Sequence, residues 1–190
     1  MQPDIQKFWE EESLNNIKPA TGAEFPEGWD VIEFFKNFRK YGYIIEVGCG
    51  YGRLCKAFDP LYYTGIDISK KAINKAKELN PAYDFSHTDG HFPYSQTKLL
   101  YTVLLHQADE DIRTIVQNLC NSSKTIIVAE IMGRDWRRPG NPPVFNREPY
   151  EYTTLFKRYG KELIEVHKKP YERYKNFKKK DTDLTIMVFE

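Results

Sequence analysis

A chain of 190 residues with 41% apolar and 15% aromatic side chains can bury a full core as one domain, and that composition excludes a disordered class. Its 28 basic and 27 acidic side chains leave a net charge of +1, which conceals an asymmetry. Residues 1–40 hold eight acidic and five basic side chains, whereas residues 134–180 hold fourteen basic and six acidic ones, so the late region can attract an anion.

In chain order, the N-terminus MQPDIQKFWEEES is acidic where a signal or transit peptide is basic or strongly apolar, and no later stretch has the length of an apolar membrane span. A cytoplasmic protein with no membrane partner is expected. Ile5, Phe8, Trp9 and Glu12 recur at helical spacing. Residues 19–28, rich in Pro and Gly, read as a loop, and Val31, Phe34, Phe35 and Phe38 trace one face of a second helix. Residues 1–40 therefore read as a helical cap segment on a single domain spanning 1–190.

The stretch Tyr43 to Arg53, YIIEVGCGYGR, is a β-branched run ending in Glu46 and followed by Gly48, Gly50 and Gly52. Such a strand entering a glycine-rich turn brings bare main chain up to a ligand, and residues 53–58 are expected to form a helix of roughly two turns. Tyr62 to Ile66 is the next strand, stopping at Asp67. Ser69 caps a helix with the face Ala72, Ile73, Ala76 and Leu79. Tyr83 to His87 is a third strand closed by Asp89 and Gly90, Leu99 to Leu105 a fourth, and Ile112, Ile115, Val116 and Leu119 mark the following helix. Thr125 to Glu130 is a fifth strand. Residues 132–149 hold Arg134, Trp136, Arg137, Arg138, four prolines and two glycines, a loop too long for an ordinary connection. Tyr150 to Tyr159 should be helical with Gly160 closing it, and Leu163 to His167 and Leu184 to Phe189 are strands.

The alternation predicts an α/β domain with a mostly parallel sheet covered by helices on both faces, its last two strands pairing antiparallel. The three cysteines, Cys49, Cys55 and Cys120, lack CxxC spacing and read as reduced, unligated thiols. The string His87-Thr88-Asp89-Gly90-His91 crosses a strand end rather than a helical face, so no metal site is expected.

Glu46-Val47-Gly48-Cys49-Gly50-Tyr51-Gly52, with Asp67 after the second strand and Asp89 after the third, resembles the signature of the class I S-adenosylmethionine-dependent methyltransferases. A dinucleotide fingerprint counted from Gly48 would need glycine where Arg53 stands. The resemblance covers residues 42–130 and implies a Rossmann-like methyltransferase fold of seven strands, the last one antiparallel. It also implies S-adenosyl-L-methionine as cofactor. The turn of Gly48, Cys49, Gly50 and Gly52 would pass under its methionine and ribose portions, Glu46 would lie near the ammonium end, and Asp67 with Ile68 would meet the ribose hydroxyls. Asp89 and Gly90 would border the adenine, and the main chain of Tyr101 and Thr102 would line the cofactor beside the acceptor cavity. Many relatives place an acid before the fourth strand, where this chain has Thr97 and Lys98.

A sulfonium already activates the methyl group, so the protein has mainly to align an acceptor and exclude water. A base is needed only for a hydroxyl acceptor, and His106, just beyond the fourth strand, is the candidate, with a structural role in its loop as the alternative. The loop with Arg134, Trp136, Arg137, Arg138 and Arg147, together with Tyr150 and Tyr152, can form a cover over the acceptor, with Arg134, Trp136, Arg137 and Tyr150 the candidate acceptor-binding residues, since arginine forks bind anions and aromatics stack on flat or sugar-like faces. A solvated basic loop is the alternative. Asn141-Pro142-Pro143-Val144 is similar to the Asn-Pro-Pro-aromatic motif of adenine amino methyltransferases, but it follows the fifth strand instead of the fourth and ends in Val144, so it reads as loop rigidity. Residues 168–180 interleave Tyr171, Tyr174 and Phe177 with Lys and Arg, which keeps nucleic acid open as a partner without favouring it. The expected activity is methyl transfer to oxygen of a small molecule, a sugar or anionic metabolite. RNA or protein methylation, or a silent subunit activating a partner, are the alternatives.

Overall fold

The computed structural model describes residues 7–11, 30–137, 142, 144–170 and 183–190, the side chains of Trp136 and Pro170 excepted. The expectations for Ile5, Glu12, residues 19–28, Arg138, Asn141, Pro143, Tyr171, Tyr174, Phe177 and residues 178–180 lie outside them. Seven strands form one sheet in the order β3-β2-β1-β4-β5-β7-β6. They are β1 (Ile44–Val47), β2 (Tyr63–Asp67), β3 (Asp84–His87), β4 (Ser95–Tyr101), β5 (Ser123–Ile131), β6 (Leu163–Pro170) and β7 (Asp183–Phe189). The first five run parallel, and β7 pairs antiparallel with both β5 and β6. This is the Rossmann-like methyltransferase arrangement, with the antiparallel strand in the expected place.

Alternation along the strands divides the core in two. Ile44, Tyr63, Leu99, Tyr101, Ile127 and Ile186 face the helices α1 (Val31–Phe35) and α2 (Lys70–Leu79). Ile45, Val47, Ile66, Leu100, Val128 and Phe189 face α3 (Ile112–Asn121) and α4 (Pro149–Arg158). The central strands β1, β4, β5 and β7 are thus buried on both sides, which explains why the sequence shows continuous apolar runs there rather than alternation. The helix starts follow local chemistry. Asp30 accepts the amides of Ile32 and Glu33, Ser69 accepts Ala72 N–H at 3.2 Å, and Glu148 with Glu151 forms a capping box on α4.

Three elements differ from the sequence reading. Residues 53–58 hold only a 3-10 turn at Cys55–Ala57, because Gly52 at φ +79° keeps the chain in turns and Leu54, Cys55, Ala57 and Phe58 are buried on every side of so short a segment. The fourth strand is Ser95–Tyr101, four residues earlier than expected. Thr102 at φ +56° ends it, and Leu104–His106 forms a 3-10 turn despite its apolar sequence. The first helix likewise passes from α at Phe35 to 3-10 over Lys36–Tyr41, stopped by Gly42 at φ +80°.

The chain turns from β1 outward through β2 and β3, then crosses back to β4 on the other side of β1. The crevice outside the carboxyl ends of β1 and β4 is therefore the topological switch point, where ligands bind in open α/β sheets.

Candidate active site

At that crevice the glycine turn is held down by β2. The amides of Gly48 and Cys49 both donate to the Ile66 carbonyl, at 2.8 and 3.1 Å. Gly48, Gly50 and Gly52 all have left-handed φ, +70°, +58° and +79°, and the neighbours are close as well. A Cβ on Gly48 would lie 2.6 Å from a methyl of Val103, and one on Gly52 would lie 2.7 Å from the Phe85 ring. Asp67 links the turn to the next helix, accepting Gly50 N–H and Ser69 N–H at 2.8 Å each, one on each oxygen. Burial pushes its carboxyl up, and the two amides pull it back down. Ile68, half-buried, follows it.

Glu46, next to last in β1, is 1% exposed. The Tyr63 hydroxyl donates to its Oε2, and its Oε1 is buried with no hydrogen-bond partner among the described residues. Burial pushes this carboxyl up to about 7, opposed by the Tyr63 hydroxyl and the Arg53 guanidinium. Cys49 is buried, and desolvation raises its thiol well above the usual range, so it is a packing residue of the turn rather than a nucleophile. Asp89 is exposed at the end of β3, in a turn where it accepts His91 N–H at 3.3 Å and Gly90 has φ +100°.

Beyond β4, Tyr101 is buried and Thr102 half-buried. Arg53 reaches across from the glycine turn, donating to the Tyr101 carbonyl at 2.9 Å and the Thr102 hydroxyl at 2.6 Å while its guanidinium stands 4.4 Å from the Tyr101 ring. His106 is half-buried, with the Trp9 ring edge-on at 5.1 Å, so the helical turn at residues 7–11 packs over the loop that carries it.

The basic loop is arranged differently from an open set of forks. Arg134 pairs with Glu151. Arg137 makes a two-pronged contact with Asp109 at 2.8 and 3.1 Å and donates to the Asn146 carbonyl at 2.9 Å. Arg147 is buried and donates inward. Tyr150 is 66% exposed beside them. Two residues that organise the site, Arg53 and Glu130, were not singled out in the sequence as parts of it, and Arg147, expected in the cover over the acceptor, is buried and faces inward instead. Glu130 alone left a readable signal, since it stands near the end of an apolar strand as Glu46 does.

Residues 44–125 match the model of a family described as a methyltransferase domain. The matched region is the one that holds the glycine turn and both strand-end aspartates, Asp67 and Asp89. The chain is 32% identical over 77 residues to tRNA (carboxymethyluridine(34)-5-O)-methyltransferase of Saccharomyces cerevisiae, a match over 40% of this chain and 28% of that protein. It thus spans well under half the length of that curated relative. Among solved structures, magnesium protoporphyrin IX methyltransferase of Synechocystis PCC 6803 with bound SAH superposes with a TM-score of 0.70 at 12% identity, over 98% of each chain. A putative methyltransferase in complex with the Trm112 activator of Haloferax volcanii gives 0.67 at 11% identity, covering 98% of this chain and 96% of that one. Both show that this fold is the methyltransferase fold.

The residues present fit the cofactor that the domain uses. Each Asp67 oxygen spends one acceptor position on a backbone amide and keeps another for a hydroxyl diol. Glu46 keeps next to the turn a buried oxygen with no partner among the described residues, and the turn itself is bare of side chains at Gly48, Gly50 and Gly52.

Proposed function

We propose that this chain transfers a methyl group from S-adenosyl-L-methionine to an oxygen of a small-molecule acceptor, a sugar or anionic metabolite. Asp67, with Ile68 beside it, would accept the ribose hydroxyls; Gly48, Cys49, Gly50 and Gly52 would lie under the ribose and methionine portions. Glu46 would face the ammonium end, Asp89 and Gly90 the adenine, and the main chain of Tyr101 and Thr102 the remaining side. When bound, the cofactor supplies an electrophilic methyl group. His106 would take the acceptor hydroxyl proton on its neutral imidazole, and Trp9 packed on its ring would keep water from that side. Arg134, Trp136, Arg137 and Tyr150, in and after the loop 132–149, would border the acceptor, with Arg134 and Tyr150 more open to solvent than Arg137.

The observation that carries this reading is the convergence on Asp67, which ties the glycine turn to the ribose position through Gly50 N–H. Asp67→Ala should therefore weaken S-adenosylmethionine binding in calorimetry by tenfold or more, since hydrogen bonds to a charged group are worth about 1.5–3 kcal/mol each. An affinity unchanged by this substitution overturns the ribose assignment. For the acceptor, methyl-labelled cofactor is incubated with fractionated cell extract, and label is expected in the small-molecule fraction.

A second reading has its own support. The curated relative acts on tRNA, and residues 168–180 mix lysines with aromatics. Label entering RNA, lost at raised salt, would replace the small-molecule reading with this one. Transfer that begins only on adding a partner protein would identify the silent-subunit alternative. No described helix is long and apolar enough to cross a membrane.

A further inference from the structure

Away from the glycine turn, buried polar groups concentrate beneath residues 102–109, the segment between β4 and α3. Glu130, at the end of β5, is 0% exposed, and its Oε1 accepts the amides of Val103 and Leu104 at 2.9 and 2.7 Å. Arg147, 3% exposed, grips the same segment by its carbonyls. It donates to the Leu104 carbonyl at 3.0 Å, the Gln107 carbonyl at 2.7 Å and the Asp109 carboxylate at 2.7 Å. Phe145 N–H adds a bond to the Leu105 carbonyl at 2.7 Å. An acid thus meets the amide ends of the backbone and a base meets the carbonyl ends, each where its charge is complemented.

Core stability is a poor reason for this arrangement. Buried charges are costly to desolvate, and apolar residues of the same volume usually serve a core at least as well. Glu130 Oε2 and Asn146 Oδ1 are also buried without a hydrogen-bond partner among the described residues, so the cluster accepts polar cost. What it secures is a backbone that would not otherwise hold its shape. Thr102 sits at φ +56°, a strained conformation for a residue with a Cβ, which persists only where the surroundings over-determine it. The 3-10 turn that follows carries His106.

We propose that Glu130 and Arg147 are positioning residues that grip the 103–109 backbone from its amide and carbonyl sides and thereby set His106 at the acceptor side of the site. The role of that setting rests on the methyl-transfer reading above, but the grip itself can be measured without an acceptor. In the full chain, Glu130→Ala removes the acceptor of two amides, whereas Glu130→Gln keeps a carbonyl oxygen in its place. Hydrogen exchange at Val103 and Leu104 should quicken about tenfold or more in Glu130→Ala and stay near the native rate in Glu130→Gln. The His106 imidazole resonance should shift or broaden in the first variant and be restored in the second, while S-adenosylmethionine affinity holds within about threefold in both. Label transfer should fall through kcat with the acceptor KM little changed. Should Glu130→Ala fail to fold, Arg147→Lys, which keeps the charge and loses the fork, must displace the same resonance. An unchanged His106 signal in the folded variants overturns the proposal, as does cofactor affinity that falls in step with transfer. A wild-type chain that transfers no label while His106 moves as expected would overturn the methyl-transfer reading and uphold the grip.

Discussion

At Gly48 two separate constraints fall on one atom. Its φ of +70° disfavours any Cβ, and the space a Cβ would fill is taken by Val103 at 2.6 Å. Gly90 has only the first constraint, at φ +100° with nothing within 4 Å. Gly48→Ala should then lower Tm by more than Gly90→Ala, the left-handed backbone costing about 1–2 kcal/mol in both and the displaced Val103 adding to the first alone. Equal losses by thermal unfolding would mean that Val103 moves aside freely. The glycine pattern was legible in the sequence because it is local and spaced at fixed intervals. Val103, 55 residues later, was not, because its approach depends on β1 and β4 pairing in register, Val47 opposite Leu100.

Among the elements, boundaries were legible where a local group sets them. Ser69 caps α2 as its sequence implies, and Ser69→Ala should cost about 1 kcal/mol in urea unfolding, with no loss if the cap were incidental. The misread boundaries lie where distant groups decide. Leu99 to Leu105 reads as one apolar strand, yet it is cut at Thr102 because Glu130, from the neighbouring strand, takes the amides of Val103 and Leu104 that a ladder would need. Residues 53–58 read as a helix, yet Arg53 stretches to Tyr101 and Thr102, and the chain after it is spent packing Leu54, Cys55 and Phe58 into the core. Lys98, where the resemblance implies an acid, belongs to the same class. It is fully buried and donates to the Pro93 and Ser122 carbonyls and the Ser95 hydroxyl, closing the amino end of the sheet far from the crevice.

Taken as a whole, the molecule keeps its buried acids, Glu46, Asp67 and Glu130, where the sheet opens toward the crevice, and that has a consequence for pH. Glu46 and Glu130 are both buried, and desolvation pushes each carboxyl up to about 7, above the range of an unfolded chain near 4.5. Asp67 moves in the same direction. Between pH 4.5 and 7 the folded state therefore holds protons that the unfolded state has released. With more protons bound in the folded state, unfolding free energy falls as pH rises through that window and levels off above it. Glu165 acts oppositely, since Lys40 and Tyr41 donate to it and hold its carboxyl down to about 2, so its contribution is lost only as pH falls from 4.5 toward 2. Melting followed from pH 4.5 to 8 should show Tm declining by several degrees across the upper range. In Glu46→Gln the neutral amide has no proton to lose, so the decline should become shallower, with Tm raised more at pH 8 than at pH 5. A Tm that climbs from pH 5 to 7 in the wild type would mean that these carboxyls ionise without cost, and the buried, half-satisfied state of Glu46 and Glu130 would have to be abandoned.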